Sequence, residues 1–450
     1  MRRAAAAARF LHAGIRPVAI TLGSLGMLAA STGVASSPTL AAGKPVQLVM
    51  AMRWSTPGLI STMTSILNVY NRTHPGVHWT LVPNYPHVKL LAAIAAGTPP
   101  SVDMLNTTIL VPSFAAQGAI KSLVPYIRQS HFNLGQFTKP SLLSNSLVGV
   151  QYAMPYFEDT YAMYYNKALF AKAGIKSPPT TLQQLMADSR KLTVEGTNGQ
   201  YTQLGFLPEF ASAEALYGGN YATSSGRVTA DAPAVVRGIG WLVNFWHAYG
   251  PAKVQRFISG NGGAADTLNP FTAGKVAMAI FGEWFLPTIA QESPHLKYGV
   301  APIPYPAGMP QYKNSGSVGG NPLVIPTGAK DPEAAWQLIA WLSTTGETLG
   351  VEPRYFKNIM AVPALKKLVN NPKLAGSPQM AFFWRYSEGK NIIPFPDVPD
   401  ALTYAIDLNN GIQLAELGKE SVQKALAYVQ AQVAASVASD LKAWRRGQQG

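Results

Sequence analysis

Residues 149–193 read GVQYAMPYFEDTYAMYYNKALFAKAGIKSPPTTLQQLMADSRKLT. An apolar, aromatic run from Tyr161 to Tyr165 ends at Asn166, and a short helical pattern follows until Gly174 and the Pro178-Pro179 pair break it. Thr181-Leu-Gln-Gln184 has the spacing of a capping box. It opens a helix with Leu182, Leu185, Met186 and Leu192 on its inner face. The adjacent carboxylates Glu158 and Asp159 precede the aromatic run. Carboxylates beside tyrosines suit a polyhydroxylated ligand, because the rings offer apolar faces and the carboxylates accept from hydroxyls.

Outward from this stretch, strands and helices alternate. Val46 to Trp54 has the apolar content of a buried strand, and Ile60, Met63, Ile66, Leu67 and Tyr70 predict a helix over Leu59–Tyr70. Val77–Val82 alternates as a second strand, Val88–Ala96 is a helix stopped by Gly97 and Pro99-Pro100, and Val102–Leu105 is a third strand. That order predicts a parallel α/β lobe. Downstream, Phe271–Val276 reads as a helix end, with strands at Ala277–Phe281, Lys297–Ala301 and Leu323–Ile325. Asp331, Pro332 and Glu333 start a helix whose apolar face is Leu338, Ile339 and Leu342. Ser421–Trp444 is a long amphipathic helix with Val422, Leu426, Val429, Val433, Val437 and Leu441 on one stripe. No linker divides the chain, so two α/β lobes imply several crossings between them.

The chain has 450 residues, enough for two or three domains, and only 13% are charged against 47% hydrophobic. Arg2, Arg3, Arg9 and Arg16, the apolar run Val18–Ala30 and the small residues Gly33-Val34-Ala35 read as a cleaved export signal over residues 1–35. The apolar run is shorter than the ~20 residues of a membrane span. There is no cysteine, which excludes disulfides, thiolate chemistry and lipoprotein anchoring. An exported protein of the periplasm or cell envelope is expected. The net charge of +14 comes from scattered lysines and arginines without an aromatic–basic motif, so no nucleic-acid partner is expected.

Catalytic and metal patterns are absent. His74 and His78 are four apart, but Pro75-Gly76 turns the chain between them into a strand. No nucleophile elbow and no phosphate-binding lysine loop occurs, and Ser259–Gly263 reads as a flexible loop. No cofactor or metal is expected. A glycosidase needs two carboxylates; Glu158 and Asp159 would face opposite ways on a strand, so a partner such as Glu209, Asp266 or Glu283 would be required.

Four blocks resemble the extracellular solute-binding proteins of ABC importers, of the maltose-binding type. They are His74-Pro-Gly-Val77 with Ala96–Asp103; Tyr164-Tyr165-Asn166-Lys167 through Pro178-Pro179-Thr180; Phe271 through Trp284 with Tyr298–Pro304; and Gly319–Pro326 before the Asp331 helix. The resemblance implies a two-lobe α/β fold (type II), with lobes at 44–157 plus 323–362 and 160–318 plus 363–450. Chain crossings would fall near Asp159, Gly319 and Pro363, and a hinge would close over a ligand in the cleft. It implies binding without catalysis, a mono- or oligosaccharide ligand, a membrane permease as partner, and a monomer. A non-sugar solute such as a glycerol phosphate would instead need cations in the cleft, from Arg53, Lys275 or Arg385. The ligand-binding residues implied are Asp159, Glu158, Trp284 and Glu209, with Trp54 and Asn106 at strand ends, Tyr156 and Arg385 near the cleft, and Gly319 and Gly320 for close backbone approach. Trp241, Trp246, Trp336 and Trp341 read as core, and most of Tyr161–Tyr165 as strand packing.

Overall fold

The computed structural model describes residues 44–208, 212–262, 269–350 and 361–448. The expected export signal, Glu209 and Asp266 lie outside the described residues.

The N-terminal alternation folds as read. β1 (Val46–Met52) is followed by α1 (Pro57–Thr73), β2 (Val77–Val82), α2 (His87–Ala95) and β3 (Val102–Met104). β1 lies between β2 and β3, parallel to both. α1 buries Met63, Ile66, Leu67 and Tyr70. His74 caps α1 and stacks on Tyr70 at 3.9 Å, while His78 sits in β2, so the two histidines flank a turn.

β4 (Ala153–Asn166) organises the rest. Residues up to Thr160 pair antiparallel with β7 (Ser315–Val324). Beyond that point β4 changes partners, pairing with β5 (Met278–Gly282) and β6 (Tyr298–Ala301). β7 makes a similar exchange. Its C-terminal end pairs with β3 and its N-terminal end with β9 (Asn391–Pro394). β8 (Val362–Pro363) joins where β4 switches, with Val362 opposite Glu158. The segments around Asp159, Gly319 and Pro363 therefore meet in one register.

The helices are built as their termini dictate. α3 (Leu182–Leu192) carries the full Thr181/Gln184 capping box. α4 (Pro233–Tyr249), α5 (Pro251–Asn261) and α7 (Pro332–Trp341) each begin at proline, where the missing N–H costs nothing. Asp331 Oδ1 accepts the Ala334 N–H at 3.0 Å. α6 (Phe285–Glu292), α8 (Pro378–Ser387), α9 (Ala401–Glu416) and α10 (Val422–Gly447) complete the set used below.

Three expectations need correction. Phe271–Val276 is a turn rather than a helix end, because the left-handed Gly274 stops any helix there. Leu323 and Val324 are only the end of the ten-residue β7, whose glycines hid the rest of the strand, and Ile325 lies just past it. Ser259–Asn261 close α5 instead of forming a loop; Gly263 lies outside the described residues.

Gly320 has φ +143°, and an added Cβ would strike the Phe157 carbonyl oxygen and stand 2.8 Å from Glu158 Cα. Both obstacles are backbone of β4 and cannot swing aside. Gly320→Ala is expected to destabilise the protein by about 3 kcal/mol, read as a lower denaturant midpoint; a midpoint equal to wild type would contradict this packing.

Candidate functional site

A cavity of about 870 Å³ opens beside the β4 switch. Tyr161 of β4, Ile280 and Phe281 of β5, and Trp284 form one wall. Ser212 and Glu214, at the 3-10 turn Ala213–Tyr217, form the second. Ile239, Leu242 and Trp246 of α4, with Gln255 and Ile258 of α5, form the third. Leu408, Asn409, Asn410, Gln413 and Glu416 of α9 form the fourth. Ala405, Asn409, Gln413 and Glu416 recur at about one helical turn, so one face of the helix lies along the space, with Leu408 and Asn410 at its flanks. Phe395 closes one end, and Ile109 is the one contribution from the segment after β3.

Trp284 stands at the start of α6 and remains 40% exposed, large for an indole held by neighbours. Its ring meets Phe281 and Phe285 edge-on, at 6.4 and 6.2 Å. Gly282 makes the pose possible, since any Cβ there would collide with the indole Nε1. The Gly282-x-Trp284 spacing thus has a steric cause. Tyr161 is half-buried at the same wall. Burial, with Asp159 and Glu283 close by, pushes its phenol well above the ordinary tyrosine range.

Asp159 and Glu283 are close enough to Tyr161 and to each other for their charges to act on one another. Glu283 is fully buried, and its Oε2 accepts the Thr160 N–H at 2.9 Å. Burial and then the Asp159 charge hold Glu283 far above the carboxylate range; burial holds Asp159 at about 6. Two neighbouring carboxyls cannot both ionise cheaply, so each raises the other's proton affinity.

Trp284 is the expected ligand residue that lines the cavity; the others stand elsewhere. Asp159 is partly exposed and is not among the lining residues. Tyr156 is fully buried against Phe157, with its hydroxyl unpartnered and near Glu347. Glu158 is 2% exposed, and burial raises its carboxyl to about 8. Glu158 occupies the opposite face of β4 from Asp159 and Tyr161, Tyr156 falls where the β4–β7 register shifts, and neither Tyr156 nor Glu158 lines the cavity. Successive side chains alternate faces, and β4 is buried on both, so composition could not say which face held the ligand. Gly319 packs under the Phe395 ring, and Gly320 under β4, so these glycines serve strand packing. Trp54 is half-buried just past β1 and Asn106 just past β3, both outside the cavity walls. Arg385 is exposed on α8 and does not reach the cavity; the inward positions beside it are Trp384 and Tyr386. Glu209 lies outside the described residues.

Other residues of the site had no readable signal. Trp246 is core, as expected, with its indole N–H donated to the Pro208 carbonyl at 2.9 Å, yet one side of it lines the cavity. Glu214, Tyr221, Gln255 and the α9 amides were not expected at all. A polar residue facing a cavity looks in sequence like one facing solvent. No Lys, Arg or His occurs among the described lining residues. Lys275 is bound to Asn261 at 2.6 Å and Arg53 reaches Asn84 at 3.5 Å, so neither turns inward.

A family model of bacterial extracellular solute-binding proteins matches residues 54–348. Over 270 residues the chain is 28% identical to a Brucella abortus protein described as a binding protein, a match covering 56% of this chain and 61% of that one. The chain thus spans about three fifths of that relative's length. It is 24% identical over 344 residues to the maltodextrin-binding protein of Bacillus subtilis, covering 73% of this chain and 75% of that one. The solved structure of CpMnBP1 with mannotriose bound superposes with a TM-score of 0.72 at 26% identity, covering 86% of this chain and 99% of that chain.

Proposed function

The chain belongs to the bacterial extracellular solute-binding proteins, and on that premise we propose that it binds a carbohydrate for an ABC importer and delivers it to a membrane permease. The observation that carries this reading is the cavity's chemistry. Trp284 and Tyr161 offer ring faces to the apolar side of a pyranose, in a cavity that also holds the amides of Asn409, Asn410 and Gln413 and the carboxyls of Glu214 and Glu416. Paired amides and carboxyls match hydroxyls, which both donate and accept. A phosphate or other anion would meet carboxyls and no described cation, which speaks against the glycerol phosphate alternative. The relatives that bind maltodextrin and mannotriose favour a sugar further.

We also read the lobes as 44–157 plus 323–362 and 160–318 plus 363–450, hinged where β4, β7 and β8 meet. Closure would bring Trp54 and Asn106, at the carboxyl ends of the parallel strands, toward the Trp284 side of the ligand. The protein acts as an exported monomer, without a lipid anchor because it has no cysteine. Binding rather than hydrolysis fits the relatives, which are solute-binding and maltodextrin-binding proteins.

Isothermal calorimetry against maltotriose, mannotriose, glucose, glycerol 3-phosphate and an amino-acid panel tests the ligand class. Saturable heat with at least one glycan, and none with glycerol 3-phosphate, is expected. Binding confined to the phosphate or to amino acids would replace the carbohydrate reading.

A further inference from the structure

The best-held polar group in the cavity is one that the sequence did not single out. Glu214 sits in the 3-10 turn Ala213–Tyr217, which is fixed at both ends by left-handed residues, Ser212 at φ +81° and Gly218 at φ +73°. Ser212 is not a glycine, so that conformation is strained and must be held. Its hydroxyl is tied to the Ser317 hydroxyl of β7 at 2.5 Å. Two glycines let the turn press against its neighbours. A Cβ on Gly238 of α4 would strike the Ala213 carbonyl oxygen, and one on Gly219 would stand 2.6 Å from the Glu214 carbonyl oxygen. The result is a carboxyl at the cavity wall on a residue only 6% exposed.

The groups facing Glu214 are acidic or neutral. On its own segment stands the Tyr221 phenol, on α9 the Tyr404 phenol with Asp231 near it, and the cavity lining adds Tyr161 and Glu416. The nearby cation, Arg237 of α4, lies over the Tyr217 ring at 5.8 Å and is not among the groups that shift Glu214. Burial alone raises the carboxyl, to about 7, against a small opposing effect of its own backbone N–H. At mildly acid pH this group is a carboxylic acid with an O–H to give.

We propose that Glu214 is the specificity-determining residue of the cavity, donating a hydrogen bond to an acceptor-only oxygen, ring or glycosidic, of a neutral glycan. The inference rests on the carbohydrate reading above and adds a direction to it. The other donors of the described wall are amides, hydroxyls and an indole, all weaker than a carboxylic acid. A donor of this kind works while protonated and turns repulsive once ionised, so affinity falls as pH rises through the carboxyl's titration. An anionic glycan is rejected above that point by the same charge.

Calorimetry of wild type and Glu214→Gln with maltotriose and mannotriose, at about pH 5.5 and about pH 8, tests this. Wild-type affinity for the glycan that binds is expected to fall about tenfold between the two conditions. Glu214→Gln keeps an N–H donor that cannot ionise. It is expected to bind a few-fold more weakly at acid pH and to lose most of the pH slope. Wild-type binding that is level or tighter at high pH, or a variant that keeps the wild-type slope, overturns the role of Glu214 and leaves the carbohydrate reading standing. A folded wild type that takes neither these nor any other glycan at either pH overturns both.

Discussion

Replacing Trp284 by alanine is expected to weaken glycan binding roughly thirtyfold, a loss of about 2 kcal/mol, while the protein still folds. The indole is the largest exposed apolar surface of the cavity wall, and α6 begins at its backbone, so a bound ring would meet a face held at a fixed height above β5. Its neighbours Phe281 and Phe285 are nearly fully buried and keep each other company at 4.1 Å, so they do not depend on the indole for their packing. The stability cost is therefore expected to be about 1 kcal/mol or less, as for a partly exposed side chain. Calorimetry with the best glycan of the panel and a thermal melt of the same sample separate the two quantities. Unchanged affinity would remove Trp284 from the site. A collapsed melt would mean that the indole is a packing residue whose exposure is incidental. Trp284→Phe gives the intermediate case, with some stacking face kept and the N–H lost.

Trp284 was legible because its signal is local: a glycine two residues before a tryptophan, just past a strand. The same holds for the parallel β1–α1–β2–α2–β3 unit, the capping box at Thr181 and the cap at Asp331, each written in a few consecutive residues. The cavity's remaining walls are not local. α9 carries Asn409, Asn410 and Gly411, poor helix formers that blur its periodicity, and its inward amides match an outward face in composition. Glu214 depends on contacts from Ser317 and Gly238, far away in the chain. Which of Glu158 and Asp159 faces the cavity side was not legible for a third reason. A strand buried on both faces has no apolar–polar alternation, so the pleat that separates Glu158 from Asp159 cannot be oriented from sequence.

Thermal stability is expected to be highest in mild acid and to fall by at least about 5 °C between pH 5 and pH 8.5. The carboxyls of Asp103, Glu158, Asp159, Glu214, Glu283, Glu347 and Asp397 are all held above their ordinary range, and burial is the first cause for each. Among the described residues none of them is in an ion pair, and the pairs there, Lys253–Glu195 and Lys424–Glu420, are at the surface. Several are partly satisfied as acceptors. Glu347 takes the Ala364 N–H at 2.6 Å and the Leu365 N–H at 3.2 Å, while Asp397 takes the Val148 N–H at 2.9 Å. Yet Asp103 Oδ2, Glu158 Oε1 and Glu283 Oε1 are buried without a partner. A carboxyl raised in the folded state favours folding most when it is protonated in both states, below the unfolded value of about 4. That contribution is lost as pH climbs through about 6 for Asp159, about 7 for Glu214 and Asp397, and about 8 for Glu158. A tenfold difference in proton affinity between the folded and unfolded chain is worth about 1.4 kcal/mol, so two or three such groups ionising together take a large part of a margin of roughly 5–15 kcal/mol. Differential scanning calorimetry from pH 4.5 to about pH 9 reads the effect directly. Glu158→Gln, at the junction of β4, β7 and β8, is expected to flatten the upper end of the curve, because its carboxyl titrates above those of Asp159, Glu214 and Asp397. A melting temperature that stays level or rises across the interval would mean that these buried acids ionise at little cost, and the same result would weaken the case for Glu214 as a donor.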